Sequence, residues 1–167
     1  MMTSHQCVSA QVAIMEYLEE KYPEPRMLPA DPYLRAKCRE VVEILVSGVQ
    51  PLQSIGLIPL LGKAEWKKWA DHNIARGFAA LEAIFVETAG KYCFGDEVTF
   101  ADACLVPQVS NAYEFGVDVT PFPTVRQIYE ALQQHPLVKK ADASCQPDTP
   151  PTGVPNRLAF FKGPGDQ

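Results

Sequence analysis

The sequence predicts an all-α protein, a bundle of five to six helices, and three observations support this fold class. Apolar residues recur at steps of three and four, the spacing of a helix that is buried along one face. Clusters of proline and glycine interrupt the pattern at a few places and so separate the helices. No stretch alternates apolar and polar side chains as a half-buried strand does. A helical bundle satisfies all three observations.

The first three helices follow from their apolar stripes and their ends. A short amphipathic helix is expected from about residue 10 to residue 21, because two prolines, Pro23 and Pro25, follow it closely. Asp31 and Pro32 form a typical helix start, an acidic N-cap followed by proline at the first helical position. The helix they open carries an apolar stripe to Val49. A third helix is predicted over 63–89, and Gly77 inside it indicates close packing of a neighbouring helix.

The most informative local signal is the pair Thr99 and Asp102, which has the spacing of a capping box before an apolar run. It predicts a helix that starts at Thr99 and is kinked by Pro107. Two further helices are expected, over 124–134 and over 137–141. From Gln146 onward, prolines and glycines predict a loose tail.

Composition excludes several classes of function. The chain has 167 residues and a net charge of -5, and it contains no basic run, so nucleic acid is not expected as a partner. No apolar stretch approaches the ~20 residues of a membrane span, and no signal peptide is visible. The five cysteines are scattered and odd in number, which predicts reduced thiols in a cytoplasmic protein. The three histidines are too far apart in sequence to predict a metal site.

A search for catalytic motifs finds no phosphate-binding loop, nucleophile elbow or zinc-binding pair. Cys104 follows a helix start, where the helix dipole can lower a thiol pKa. Its apolar neighbours favour the alternative, a buried and unreactive thiol. The residues by themselves therefore predict a soluble helical domain without an assigned chemistry.

Several segments together resemble the zeta class of glutathione transferases, the class that includes maleylacetoacetate isomerase. They are Gln50-Pro51-Leu52-Gln53, the segment from Tyr92 to Asp102, Leu105-Val106-Pro107-Gln108-Val109, and the segment from Val117 to Pro123. The resemblance begins at Ala13 and ends at Pro150. It implies a bundle of the glutathione-transferase C-terminal domain type, preceded by one helix left from a thioredoxin-like domain. The implied division is 1–22 for that remnant, 23–32 for a linker, 33–145 for the helical domain and 146–167 for the tail.

The resemblance also implies a function. Zeta enzymes are dimers that use glutathione to isomerise maleylacetoacetate to fumarylacetoacetate in tyrosine and phenylalanine breakdown, and they conjugate glutathione to small α-halo acids. The implied ligands are glutathione and a small organic acid. The proposed mechanism is addition of the glutathione thiolate to the cis double bond, rotation, and elimination.

Two departures from the family pattern concern the catalytic domain. The family's catalytic Ser-Ser-Cys triplet does not occur in this sequence, so no catalytic residue is assigned and impaired activity is expected. Where relatives carry a Gln-Ser pair that holds the γ-glutamyl end of glutathione, this chain has Ala10 and Gln11.

In the helical domain, Gln50 matches the family residue that reaches toward glutathione, and Ser54 stands where asparagine is usual. These two are the predicted glutathione-binding residues, although Gln50 also reads as an ordinary helix end before Pro51. Glu114 stands where relatives carry an arginine that holds a substrate carboxylate. It either faces the substrate and repels a diacid, or it points to solvent.

Three functions therefore remain open. The chain is an isomerase of this class that lacks its catalytic part, a non-catalytic helical module that pairs with itself or with a full-length subunit, or a glutathione-independent binder of hydrophobic ligands. The apolar helix face around Ile14 and Leu18 predicts marginal stability or self-association.

Overall fold

The computed structural model describes residues 7–154, and this part of the chain forms seven α-helices. The helices are α1 Gln11–Lys21, α2 Pro32–Glu43, α3 Ile58–Leu61, α4 Lys63–Thr88, α5 Phe100–Glu114, α6 Pro123–Gln133 and α7 Pro136–Ala141. Within the described residues the only extended pairing consists of isolated bridges from Gly95 to Ala89 and Tyr92. The all-α prediction is therefore confirmed for this part of the chain. Six of these helices correspond to the predicted ones, and α3 is an additional short helix in a segment for which none was predicted.

The end of the second helix differs from the prediction. After Glu43 the chain continues as a π-helix over Ile44–Val49, and the N–H of Gln50 donates to the carbonyl of Leu45 at 2.9 Å. A π-helix winds more loosely than an α-helix and occurs mainly as a local insertion near functional sites. Here it leads directly to Gln50.

The core lies where α2, the π-helix, α4, α5 and α6 meet. Its largest fully buried side chains include Trp66, Phe78 and Phe85 of α4. Gly77 allows the close approach that the sequence predicted, since a Cβ atom there would lie 2.2 Å from Cγ2 of Val49. The longest helix is thus pressed against the segment that carries Gln50.

The predicted helix starts are confirmed. Asp31 Oδ1 accepts from the N–H of Leu34 at 2.9 Å, as an N-cap should. The capping box of α5 is present, and Asp102 Oδ2 accepts from the N–H and the hydroxyl of Thr99, each at 2.8 Å. The other oxygen of Asp102 accepts from the N–H of Cys93 at 2.9 Å, so this carboxylate also holds the preceding loop. Helix α5 continues through Pro107, and the kink expected there remains a prediction.

A long-range cap positions α6. The two carboxylate oxygens of Glu82, on α4, accept from the N–H groups of Thr124 and Val125 at 2.8 and 2.9 Å. These N–H groups belong to the first turn of α6 and have no partner within the helix. The carboxylate also complements the positive end of the helix dipole.

Helix α1 lies on the outside of the bundle, and none of its residues is buried. Polar contacts attach it: Glu16 binds Arg39 of α2 at 2.8 Å, and Glu19 accepts from the N–H groups of Met27 and Leu28 at 2.9 and 3.2 Å. The predicted domain boundaries remain predictions, and parts of the first and last segments, 1–6 and 155–167, lie outside the described residues.

The cysteines behave as expected for reduced thiols. All five are free, and Cys38, Cys93 and Cys104 are buried. No group of metal-ligating side chains assembles within residues 7–154. No helix in this range combines the length and the apolar character that a membrane span requires.

Candidate functional site

The two predicted glutathione-binding residues, Gln50 and Ser54, lie together in a cleft of about 380 Å³. The cleft lies between the segment that follows the π-helix, the start of α1 and one face of α5. We call it the amide cleft, because four of its eight lining residues carry side-chain amides. The lining residues are Gln11, Gln50, Gln53, Ser54, Ile55, Pro107, Asn111 and Phe115.

Gln50 is half-buried, and its side-chain amide makes no hydrogen bond within residues 7–154. Ser54 is held more firmly. Its Oγ accepts from the N–H of Gly56 at 3.2 Å, and its carbonyl accepts from the indole N–H of Trp66 at 3.0 Å. The hydroxyl proton of Ser54 is not used in either contact, so the cleft contains an amide and a hydroxyl that can both donate to a ligand.

The floor of the amide cleft is formed by a buried pair that the sequence analysis did not identify. Gln53 Nε2 donates to Oε1 of Gln108 at 2.9 Å, and Gln108 Nε2 donates back to Oε1 of Gln53 at 2.8 Å. Both side chains are at most 4% exposed. The available signal was that Gln108 falls in the apolar stripe of α5, three residues after Leu105, where a polar side chain needs a buried partner.

The surroundings of Cys104 indicate whether its thiol can react. Gln11 lines the amide cleft, and its Nε2 donates to Sγ of Cys104 at 3.4 Å. Burial raises the pKa of Cys104 to about 11, and a nearby Cys38 adds to the effect. The prediction of a buried, unreactive thiol is therefore supported, because a thiol with this pKa is protonated at neutral pH.

The electrostatics of the amide cleft are simple. Its lining contains amides, one hydroxyl and apolar groups, and none of these side chains carries a charge at neutral pH. Such a surface can hydrogen-bond the amides and carboxylates of a peptide-like ligand. It offers no base that removes a proton and no cation that stabilises a thiolate.

Glu114 does not line the amide cleft. It is half-buried and lines a larger cavity of about 1000 Å³ on the same helix, which shares Pro107 and Asn111 with the amide cleft. We call this cavity the α5 groove. Its lining residues are Met27, Val98, Asp102, Ala103, Val106, Pro107, Ser110, Asn111, Glu114, Leu132, His135, Leu137, Val138, Ala141, Asp142, Ala143 and Val154. The role of Glu114 toward a substrate carboxylate remains a prediction.

Comparison with known proteins assigns the fold to a family. The profile of the family described as "Glutathione S-transferase, C-terminal domain" matches residues 61–144. A probable maleylacetoacetate isomerase of Drosophila melanogaster is 49% identical over 140 residues, which cover 84% of this chain and 57% of that protein. Maleylacetoacetate isomerase of Mus musculus is 48% identical, with 83% of this chain and 64% of that protein covered.

Comparison with solved structures finds similar folds in isomerases of the same kind. The crystal structure of maleylacetoacetate isomerase from Anaeromyxobacter dehalogenans with glutathione bound in its active site superimposes with a TM-score of 0.82 at 40% identity. The match covers 87% of this chain and 68% of that one. A maleylpyruvate isomerase described as a bacterial zeta-class glutathione S-transferase gives a TM-score of 0.83 at 35% identity, covering 90% and 74%.

The chain thus spans between 57% and 64% of the length of the fly and mouse relatives named above. The residues that the family profile matches include α4, α5, α6 and α7. This chain belongs to the zeta class of the glutathione S-transferase family.

Proposed function

We propose that the amide cleft binds glutathione and that the chain serves in the isomerisation of maleylacetoacetate as the part that positions glutathione. The observation that carries this proposal is the half-buried amide of Gln50, which has no hydrogen-bond partner within residues 7–154 and lines an uncharged, amide-rich cleft. The polar atoms of this amide are open to solvent, so a peptide-like ligand can exchange their hydrogen bonds with water for direct ones.

The chemistry of the lining fits a tripeptide. Glutathione offers amide and carboxylate groups, and Gln50 and Ser54 provide donors for them, with the oxygen of the Gln50 amide as an acceptor. A cavity of about 380 Å³ lies at the small end of ligand-binding sites and suits part of the tripeptide. Two or three such hydrogen bonds contribute about 1 kcal/mol each, so the Kd of this cleft alone is expected to lie between roughly 6 and 30 mM.

The same lining predicts what the cleft does not do. Isomerisation through a glutathione adduct requires the thiolate, and no side chain of the cleft can act as its base or as a stabilising cation. The protonated Cys104 behind Gln11 cannot take that role either. We therefore expect the chain to hold glutathione and to isomerise no faster than glutathione free in solution.

Titration calorimetry with glutathione tests the proposal. The expected result is saturable binding at millimolar ligand that is lost in Gln50→Ala and kept in Gln127→Ala, which removes an exposed glutamine of α6 outside the cleft. No heat from the unaltered protein, or equal binding by both variants, would rule out the cleft as the glutathione site. The expectation that the chain does not accelerate isomerisation is tested by following the cis-to-trans conversion of maleylacetoacetate in the same samples. Turnover above the rate with glutathione alone would contradict that expectation.

A second proposed function is subunit pairing through α1. The side chains of Ile14, Tyr17 and Leu18 are 40%, 39% and 45% exposed on one short helix that buries none of its residues. Covering this apolar face with a second copy, or with a longer subunit of the same class, removes it from water.

Sedimentation velocity over a range of concentrations tests the pairing. We expect association that increases with concentration and is abolished by Leu18→Glu, whereas Leu60→Glu, at an exposed leucine of α3, leaves it unchanged. A protein that remains monomeric at every concentration would exclude pairing with its own copies through α1.

A further inference from the structure

We propose that Trp66 is a positioning residue of the amide cleft. It lies behind the cleft and contacts two of the lining residues, Ser54 and Phe115, so that their positions are set before a ligand binds. The proposal rests on glutathione binding in this cleft, and it adds a residue of α4, a helix that contributes none of the cleft residues described above. Trp66 acts through these two neighbours.

The first contact joins Trp66 to the wall that carries Ser54. The indole N–H of Trp66 donates to the carbonyl of Ser54 at 3.0 Å. The same carbonyl accepts from the N–H of Leu57 at 3.0 Å, within the short turn that Ser54 opens. The carbonyl is thus held both by its own turn and by α4. Because Oγ of Ser54 accepts from the N–H of Gly56, the same turn also sets the direction of the side chain.

The second contact joins Trp66 to the wall formed by α5. The rings of Trp66 and Phe115 lie edge to face, with centroids 5.2 Å apart and an interplanar angle of 76°. This geometry is favourable for an aromatic pair. Phe115 is buried and directly follows the last residue of α5, so the indole also holds the end of that helix.

Trp66 is itself firmly held. Its side chain is among the largest fully buried ones of the described residues, and it lies in the first turns of α4, where its backbone N–H donates to the carbonyl of Gly62 at 2.9 Å. A close-packed core leaves a ring of this size little room to move. An apolar side chain of similar volume could pack against Phe115, but it could not donate to Ser54.

The contact with Ser54 matters because this residue is exposed and lies at the start of a turn of only three residues. A donor that is held in place before the ligand arrives loses less conformational freedom on binding. The hydrogen bond from Trp66 supplies this restraint from the core. We therefore expect its removal to weaken glutathione binding by roughly threefold to fivefold.

An isosteric replacement of the indole N–H tests the hydrogen bond alone. Trp69→Phe leaves Trp66 as the only tryptophan of the chain, and Trp69 is 45% exposed and is not one of the cleft residues. In this variant, β-benzothienylalanine incorporated in place of tryptophan exchanges the N–H for sulfur and keeps the fused ring that packs on Phe115. Glutathione binding is followed through the side-chain amide signals of Gln50 in ¹⁵N-labelled protein. We expect the Kd to rise threefold to fivefold and the protein to remain folded.

A double-variant cycle separates positioning from stability. Ser54→Ala removes the hydroxyl that Trp66 positions, so in that background the loss of the indole N–H should leave the Kd for glutathione unchanged. Two changes that act through one contact are not additive. Phe78→Leu is the matched control, since this buried ring of α4 packs on Phe122 and is not one of the cleft residues. It should lower the melting temperature and leave the Kd unchanged.

Two results would overturn the positioning role and leave the proposed function in place. The first is an unchanged Kd in the benzothienyl protein while Gln50→Ala still abolishes binding. The second is an equal loss of affinity with and without the hydroxyl of Ser54, which describes a tryptophan that only stabilises the core. If the Trp69→Phe protein shows no saturable shift with its indole intact, both the positioning role and glutathione binding in the cleft are wrong.

Discussion

Gln53 and Gln108 bind each other through both ends of their side-chain amides, with donor–acceptor distances of 2.9 and 2.8 Å. The pair joins the segment that follows the π-helix to the middle of α5. Because Gln50 lies on the first of these elements and Asn111 on the second, the pair fixes the distance across the amide cleft. In a buried environment each amide depends on the other for its hydrogen bonds.

Replacing one member of this pair should be costly. Gln108→Leu keeps the volume but leaves the amide of Gln53 without a partner, so we expect the free energy of unfolding to fall by about 1 to 3 kcal/mol in urea denaturation. The double change Gln53→Leu and Gln108→Leu should recover most of this loss, since two apolar groups then pack together. Equal stability of Gln108→Leu and the unaltered protein would show that Gln53 and Gln108 do not form these hydrogen bonds in solution.

Asp102 should be a further stabilising residue. Removing its carboxylate in Asp102→Ala ends the capping box and leaves the buried N–H of Cys93 unpaired, with an expected loss of about 2 to 4 kcal/mol. Asp71→Ala, which removes an exposed pair with Lys67 on α4, should cost no more than about 0.5 kcal/mol. Thermal melts of both variants check this, and similar melting temperatures for the two would contradict it.

Gly77 tests the close packing of α4 against the π-helix. Alanine has the better helix propensity by about 1 kcal/mol, but its Cβ would lie 2.2 Å from Cγ2 of Val49, and overpacking costs about 1 to 3 kcal/mol. We expect Gly77→Ala to be destabilising and to become neutral or stabilising in a Val49→Ala background. Gly48→Ala is the matched control, because the nearest atom to its Cβ lies 3.9 Å away. Stabilisation by Gly77→Ala alone would refute the close approach.

The cysteines should divide by burial in a thiol titration. Cys7 and Cys145 are exposed, whereas the other three are buried, and burial raises the pKa of each of those three. With Ellman's reagent at pH 8, two thiols should react quickly and three only after denaturation. Three or more fast thiols in the native protein would contradict the described core.

The raised pKa of Cys104 also predicts a pH dependence of stability. An unfolded cysteine loses its proton near pH 8.5, whereas folded Cys104 keeps it up to about pH 11. The contribution of the protonated Cys104 thiol to the free energy of unfolding is therefore fully present below pH 8.5, and it is lost as the pH rises through 11. Urea denaturation at pH 8 and pH 10 should show a smaller decrease in stability for Cys104→Ala than for the unaltered protein, and an equal decrease would count against the shift.

The sequence was sufficient for features that depend on neighbouring residues. The N-cap Asp31, the capping box of Thr99 and Asp102, and the tight position of Gly77 all have local signatures, and all three are present. Gln50 and Ser54, four positions apart in the sequence, both line the amide cleft, and their role in binding glutathione remains a prediction.

Features that join distant residues were not visible in the sequence. The cap on α6 comes from Glu82, more than forty positions away, and no local pattern marks it. The pairing of Gln53 with Gln108 and the approach of Gln11 to Cys104 depend equally on tertiary packing. The π-helix over Ile44–Val49 has an ordinary helical sequence, and no local pattern in it predicts the wider turn.

The most direct test of the central claim is a glutathione titration followed by the side-chain amide signals of ¹⁵N-labelled protein. If the amide cleft holds glutathione, the signals of Gln50, Gln11 and Asn111 shift together and saturate at millimolar ligand, while that of Gln127 on α6 stays in place. The Gln50→Ala variant should then show no saturable shift. Unchanged cleft signals, or shifts confined to residues elsewhere, would contradict the assignment of this cleft as the glutathione site.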